Sequence, residues 1–193
     1  MSIIKYSSAY DAIPCFGTLT PEDLRMAGDY LKVRTLNAGE VILRAGGVCE
    51  HLYFIVSGLV FSHTSDEKIV WYESEGNSFT DVNSFYTREP SENFIRVAED
   101  DTTLLSISHE HLQHLYQHSH RWAIWGTQFH QQELTRLLRY YEALRVKDAS
   151  ERYFDLIAAF PDVLQRVPLG HIASYLGISQ VSLSRIRAGT QKK

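Results

Sequence analysis

Short apolar runs separated by turn residues occupy the chain from residue 33 to residue 109, and they limit the possible folds more than any other feature. The runs are three to five residues long. They are residues 40–43, 52–56, 59–61, 69–72, 94–97 and 104–107. Runs of this length, divided by glycines and by Ser-Asp or Gly-Asn pairs, predict an antiparallel β-sandwich or β-barrel.

Helices are predicted on both sides of this β-region, which makes the expected fold class α+β. Thr20 can cap a helix whose first residue is Pro21, and we expect that helix to end near residues 30–32. Glycine and β-branched residues become sparse after residue 109. Residues 110–118 and 120–146 are therefore predicted to be helical.

The longer of these helices carries two apolar stripes, because residues three and four apart share a helix face. One stripe consists of Leu134, Leu137, Leu138, Tyr141 and Leu144, and the other of Trp122, Trp125 and Phe129. One stripe can pack on the β-region and the other on a second copy of the chain, or both can belong to the core of one chain. A helix of roughly 26 residues is about 40 Å long, more than a small domain needs, and this length favours the dimer.

Composition points to a globular protein of the cytoplasm. The 193 residues are 44% hydrophobic, yet no uncharged apolar run approaches the roughly 18 residues that cross a membrane. The first residues lack the apolar stretch of a signal peptide. Cys15 and Cys49 are too few for an all-cysteine iron–sulfur cluster or zinc site.

Charge is unevenly distributed along the chain. Residues 166–193 contain five basic residues and no acidic one, a net charge of +5, which leaves −9 for residues 1–165. A basic end on an acidic body is typical of a terminal nucleic-acid-binding module. A solvated tail that ends in two lysines is the alternative.

Residues 169–187 contain the pattern of two short helices joined by a tight turn. Gly177 stands where the turn needs a left-handed backbone, and Ser179 can cap the second helix. Ala173 is small where the helices approach each other. The predicted buried seam consists of Ile172, Leu176, Ile178, Leu183 and Ile186.

The second helix of this pair is the predicted DNA-reading element. Polar side chains near a helix N-terminus suit recognition of base edges in the major groove, and basic side chains suit phosphates. The candidate DNA-binding residues are Ser179, Gln180, Val181, Ser182, Arg185, Arg187, Lys192 and Lys193. An ordinary helical hairpin is the alternative, but this pattern coincides with the acid-free, basic part of the chain.

The order of these parts resembles the Crp/Fnr family of transcription regulators. Residues 39–46 and 52–58 are similar to that family's strand–turn–strand signature, and residues 177–187 are similar to its recognition helix. The resemblance implies a sensory β-roll resembling a cyclic-nucleotide-binding domain with an N-terminal helix over residues 1–118. It further implies a dimerisation helix over residues 119–146 and a DNA-binding helix-turn-helix over residues 147–193.

The recognition helix departs from the family pattern at two positions. The family usually has an acidic residue where Val181 stands and often an arginine where Gln180 stands, whereas Arg185 matches its base-reading arginine. The resemblance implies double-stranded DNA, a second copy of the chain and RNA polymerase as partners in a bacterial cytoplasm.

The nucleotide pocket implied by the resemblance is degenerate. Family members that bind cyclic AMP carry Phe-Gly-Glu on a short helix, followed by an arginine that neutralises the phosphate. The matching residues here are Phe79, Thr80 and Asp81, then Ser91, Glu92 and Asn93. Because a phosphate without a paired cation binds poorly, these residues predict weak binding of cyclic AMP or none. The effector is therefore unknown, and Asp81 and Glu92 can equally be solvated loop residues.

Motifs for metal binding or catalysis are weak or absent in the sequence. His114 and His118 stand four residues apart, a spacing that can bind a metal ion, but exposed helix histidines are the better interpretation. No nucleophile elbow, phosphate-binding glycine loop or pair of catalytic carboxylates is present. The rival hypothesis is a cupin-like β-barrel enzyme or small-molecule binder whose terminal helices mediate assembly. We therefore expect no enzyme, no metal and no iron–sulfur cluster.

Overall fold

The computed structural model describes residues 10–189, and the chain divides into two compact units. The first unit ends at Gln131 and the second begins at Gln132. Helices are α1 Pro21–Met26, α2 Val82–Thr87, α3 His109–His118, α4 His120–Val146, α5 Ala149–Ala159, α6 Val163–Arg166, α7 Leu169–Tyr175 and α8 Gln180–Arg187. No helix within residues 10–189 has both the length and the apolar character needed to span a bilayer.

Eight strands of the first unit form two four-stranded antiparallel sheets within the described residues. The strands are β1 Lys32–Leu36, β2 Val41–Leu43, β3 His51–Ser57, β4 Leu59–His63, β5 Ile69–Ser74, β6 Ser78–Phe79, β7 Phe94–Val97 and β8 Thr102–Ser108. The sheet orders are β1-β8-β3-β6 and β2-β7-β4-β5, and every pairing is antiparallel. The predicted antiparallel β-structure within an α+β fold is confirmed.

One predicted helix end was wrong. Thr20 and Asp23 form the expected capping box, but α1 ends at Met26 rather than near residues 30–32. The following residues form tight turns, with Gly28 N donating to Arg25 O at 3.1 Å. The chain leaves the helix early because Lys32 already pairs with Ser106 of β8.

The aromatic stripe at the start of α4 belongs to the core of the first unit. Trp122, Trp125 and Phe129 are each at most 5% exposed. Phe16 lies between the sheet and this helix, 4.8 Å from Phe54 and 5.7 Å from Trp125 between ring centroids. Both indole N–H groups are satisfied by backbone carbonyls, those of Asp23 and Cys15. Packing of this stripe on the β-region is as predicted.

The second stripe of α4 is exposed on the described chain. Its five side chains are between 42% and 61% exposed. The second unit has its own small core, in which Tyr153, Val163, Ile172 and Leu183 are buried. Asp148 and Glu151 form the capping box at the start of α5, as the sequence predicted.

Candidate DNA-binding helices and degenerate effector pocket

Asp81 and Ser91, two of the predicted effector-pocket residues, are hydrogen-bonded to each other. Ser91 Oγ donates to Asp81 Oδ2 at 2.7 Å, and Asp81 Oδ1 accepts from Ser84 N as the N-cap of α2. Both carboxylate oxygens are thus occupied. The backbone of Ser91 is bonded on both sides, to Gly46 and Gly47. Ser91 is 5% exposed, so the hydrogen-bonding groups of this pair are satisfied within the protein.

The other predicted pocket residues serve local structure or face solvent. Phe79 lies in β6 and stacks on Tyr53 at 4.8 Å between ring centroids. Thr80 Oγ1 donates to His51 O at 3.0 Å. Asn93 N donates to Ser91 Oγ, while Glu92 is exposed.

Neither nearby arginine supplies the missing cation. Arg88 donates to Cys49 O at 3.1 Å and forms an ion pair with Glu50. Arg96 alternates along β7 with the core residues Ile95 and Val97, so it lies on the other face of the sheet. Arg88 is also held in the left-handed backbone region, at φ 63°, as the C-cap of α2. A phosphate at the Asp81–Ser91 pair would therefore meet a carboxylate without a compensating charge.

A small cavity of the first unit lies between strands β1, β2, β3 and β8, and neither Asp81 nor Ser91 lines it. Its volume is about 50 Å³, and Arg34, Tyr53 and Ser106 are among its lining residues. Ligand pockets usually measure about 300–1,000 Å³, so this space does not hold a nucleotide without rearrangement. Burial raises the pKa of the Tyr53 phenol to about 12, which keeps this hydroxyl neutral.

The turn between α7 and α8 has the backbone that the sequence predicted. Gly177 adopts φ +69°, and its N–H donates to Ser174 O at 3.0 Å. Ile178 N donates to Ala173 O at 2.9 Å, and Ala173 is only 2% exposed. A left-handed residue that follows a helix terminates it and lets the chain turn sharply.

The start of α8 is capped by its own serines. Ser179 Oγ accepts from Ser182 N at 3.1 Å, and the two hydroxyls lie 3.0 Å apart. Ser182 is therefore half-buried and engaged in the cap, although it was predicted to point outward. Of the predicted seam, Ile172, Leu176, Leu183 and Ile186 are each at most 4% exposed, and Ile178 is half-buried.

One face of α8 is open to solvent. Val181, Ser184, Arg185 and Ala188 are exposed at helical spacing, and Gln180 and Arg187 are exposed beside them. Ser184 was not among the predicted residues, and only its position three residues after Val181 could have indicated it. Lys192 and Lys193 lie outside the described residues.

Arg152 is a structural residue that sequence reasoning missed. Its Nη2 donates to Leu176 O at 3.0 Å, and its Nη1 donates to Lys147 O at 2.8 Å. It thereby ties the last turn of α7 to the end of α4 inside the second unit. No sequence signal indicated this role, because its acceptor Leu176 lies 24 residues further along the chain.

Histidines of the first unit stack without forming a metal site. The rings of His114 and His118 are 4.1 Å apart, and His118 Nδ1 is 2.9 Å from His114 O. The described part of the chain contains no group of three or more His, Cys, Asp or Glu side chains placed to hold a metal ion.

A comparison with protein families found a match that lies within the first unit. Residues 33–119 match the family model of the cyclic nucleotide-binding domain. A comparison with curated proteins found no match.

Solved structures share the fold at low sequence identity. A putative transcriptional regulator of the Crp/Fnr family from Eubacterium rectale superposes with a TM-score of 0.68 at 15% identity, over 93% of this chain and 87% of that one. The catabolite activator protein of Thermus thermophilus gives 0.55 at 21% identity, over 91% and 85%. The regulatory subunit of a cAMP-independent protein kinase A from Trypanosoma brucei gives 0.52 at 21% identity over 59% of this chain, which spans 41% of that subunit. These similarities establish a fold shared with regulatory proteins.

Proposed function

We propose that this protein is a bacterial, cytoplasmic transcription regulator that binds a two-fold-related DNA site as a homodimer. The observation that carries the proposal is the exposed face of α8, which presents Arg185 and no acidic residue and is supported by α7 through the Gly177 turn. A short helix held in this way can enter the major groove and reach base edges with its outward side chains.

The proposed DNA contacts divide into two kinds. Val181 and Arg185 face the bases, Gln180 flanks them with its carboxamide against Gly170 of α7, and Arg187, Lys192 and Lys193 neutralise phosphates. Ser179 and Ser182 contribute by capping the helix, because their hydroxyl groups are already bonded to each other and to the backbone. With this distribution, the affinity for DNA depends on salt. The preference for one sequence depends on Arg185.

The proposed dimer forms through the exposed stripe of α4. Five large apolar side chains at three- and four-residue steps, each at least 42% exposed, are the pattern of a two-helix seam. Residues 119–146 would then be the dimerisation helix, between a sensory region at 1–118 and a DNA-binding region at 147–193. RNA polymerase is a further proposed partner, to which we assign no surface.

The proposed role of the β-roll is to sense a small effector other than cyclic AMP or to act as a ligand-free scaffold. The Asp81–Ser91 hydrogen bond and the engaged Arg88 support this view, because they occupy the groups that would otherwise meet the phosphate. The effector, if one exists, is unidentified.

Selection from a random duplex library by the full-length protein tests the proposal. We expect enrichment of one sequence family, with affinity that falls steeply as salt is raised. Absence of enrichment, together with no retention of duplex DNA at low salt, would reject DNA binding as the function.

A further inference from the structure

Val181 is an apolar side chain on the face of α8 that carries Arg185. It is 61% exposed and lies in the first turn of the helix. Ser184 and Arg185 follow it at three and four residues, so the three side chains share one face. An exposed isopropyl group at the centre of a proposed reading face needs a matching apolar group when water is expelled.

The side chains around Val181 are engaged elsewhere. Ser182 is held in the cap by Ser179. The carboxamide of Gln180 leans back over α7, since a Cβ atom placed on Gly170 would lie 2.4 Å from Gln180 Nε2. Val181 therefore contributes the apolar contact surface of the first turn.

The chemistry of the major groove offers one partner for such a group. Base edges there present hydrogen-bond donors and acceptors, and the 5-methyl group of thymine is their apolar feature. An isopropyl group set against an amino or carbonyl group would desolvate it without a hydrogen bond in return. Against a thymine methyl, it buries apolar surface on both sides.

We propose that Val181 selects a thymine, through its 5-methyl group, in each half-site of the operator. The inference rests on the proposed DNA binding. Side chains four residues apart on a helix are about 5–6 Å apart, and base pairs rise by about 3.4 Å. The thymine is therefore expected within two base pairs of the guanine read by Arg185.

Deoxyuridine substitution isolates this contact, because it removes the methyl group and leaves base pairing unchanged. The thymine positions of the half-site selected by the full-length protein are tested one at a time. In each duplex, the same position is replaced in both half-sites, and affinity is measured by fluorescence anisotropy. At one position the wild-type protein should lose about fourfold in affinity per half-site, the value expected for one buried methyl-sized group. The variant Val181→Ala should bind the thymine and deoxyuridine duplexes with nearly equal affinity.

Val82→Ala is the matched control, because Val82 is also a valine with 61% exposure but lies on α2 of the first unit. It should retain the full deoxyuridine penalty. A half-site without thymine, no penalty at any thymine, or a penalty unchanged in Val181→Ala would overturn the inference and leave DNA binding intact. Failure of the wild-type protein to bind any duplex would overturn the proposed function and this inference with it.

Discussion

Arg185 is the side chain on which the proposed base recognition most depends. It is exposed in the last turn of α8, and its planar guanidinium group can form two parallel hydrogen bonds to the edge of a guanine. Neighbouring Leu183 and Ile186 are buried, so the backbone that carries it is anchored.

Replacement of Arg185 by alanine should weaken binding to the selected site by about 1–3 kcal/mol and remove the preference at one base pair. Binding to unrelated duplexes should change much less. Arg25→Ala, at an exposed arginine of α1, is the control and should leave both affinities unchanged. Titration by fluorescence anisotropy measures the effect. An Arg185→Ala protein with wild-type affinity and preference would show that α8 is not the reading helix.

The Asp81–Ser91 contact leads to a prediction about ligands. Calorimetric titration of cyclic AMP or cyclic GMP into the wild-type protein should give no saturable heat in the low-micromolar range. The missing arginine removes a charged hydrogen bond of roughly 1.5–3 kcal/mol, which corresponds to about tenfold in affinity or more. Micromolar binding that disappears in Arg88→Ala or Arg96→Ala would show that an arginine reaches the phosphate from an unexpected position.

At the scale of single elements, the turn between β3 and β4 depends on a glycine position that no other residue can occupy without a clash. Gly58 adopts φ +98°, and a Cβ atom there would lie 2.9 Å from the Cα atom of Thr102. Gly39 also has a positive φ, of +84°, but a Cβ atom there would have no neighbour within 4 Å. Substitution at Gly39 would therefore introduce backbone strain alone, whereas substitution at Gly58 would introduce both backbone strain and steric overlap.

Gly39→Ala should lower the free energy of unfolding by about 1–2 kcal/mol through backbone strain alone. Gly58→Ala should lower it by roughly 1–3 kcal/mol more, because the β3–β4 turn must also move away from β8. Urea denaturation followed by circular dichroism measures both variants. Equal losses would mean that the neighbouring strands adjust without cost.

The exposed stripe of α4 predicts a second effect at this scale. Leu138→Glu would place a charge in the proposed helix seam and should convert a dimer into a monomer. Gln132→Glu introduces the same charge on the opposite side of the helix and should leave the dimer intact. Light scattering at micromolar concentration measures the mass. A monomeric wild-type protein would contradict the proposed dimer.

The elements that the sequence predicted are those with a clear apolar pattern. Strand β7 and the first half of α4 follow from apolar spacing, because burial of one face dictates them. The Ser179 cap follows from a serine placed directly before a helix. Strand β1 was missed since it is mostly exposed, and β6 since its two residues pair only with Tyr53 and Phe54. The Ser91–Asp81 bond was beyond prediction, because it joins residues ten positions apart through the tertiary fold.

At the scale of the whole molecule, the charge distribution and the two units agree with the proposed assignment of sensing to the β-roll and DNA binding to the second unit. The net charge of +5 lies entirely in residues 166–193, inside the second unit, whereas residues 1–165 carry −9. Helix α4 begins in the first unit and ends in the second. If the chain binds DNA as proposed, the basic residues 166–193 would attract its phosphates and the acidic excess of residues 1–165 would repel them.

A hydroxyl-radical footprint of the full-length protein on its selected site tests this account most directly. Two recognition helices related by a two-fold axis should protect two half-sites whose centres lie about 34 Å, or 10–10.5 base pairs, apart on one face of the duplex. At a protein concentration that just saturates the site with wild-type protein, Arg185→Ala should weaken both protections together. A single protected segment, or no protection at low salt and excess protein, would contradict the account.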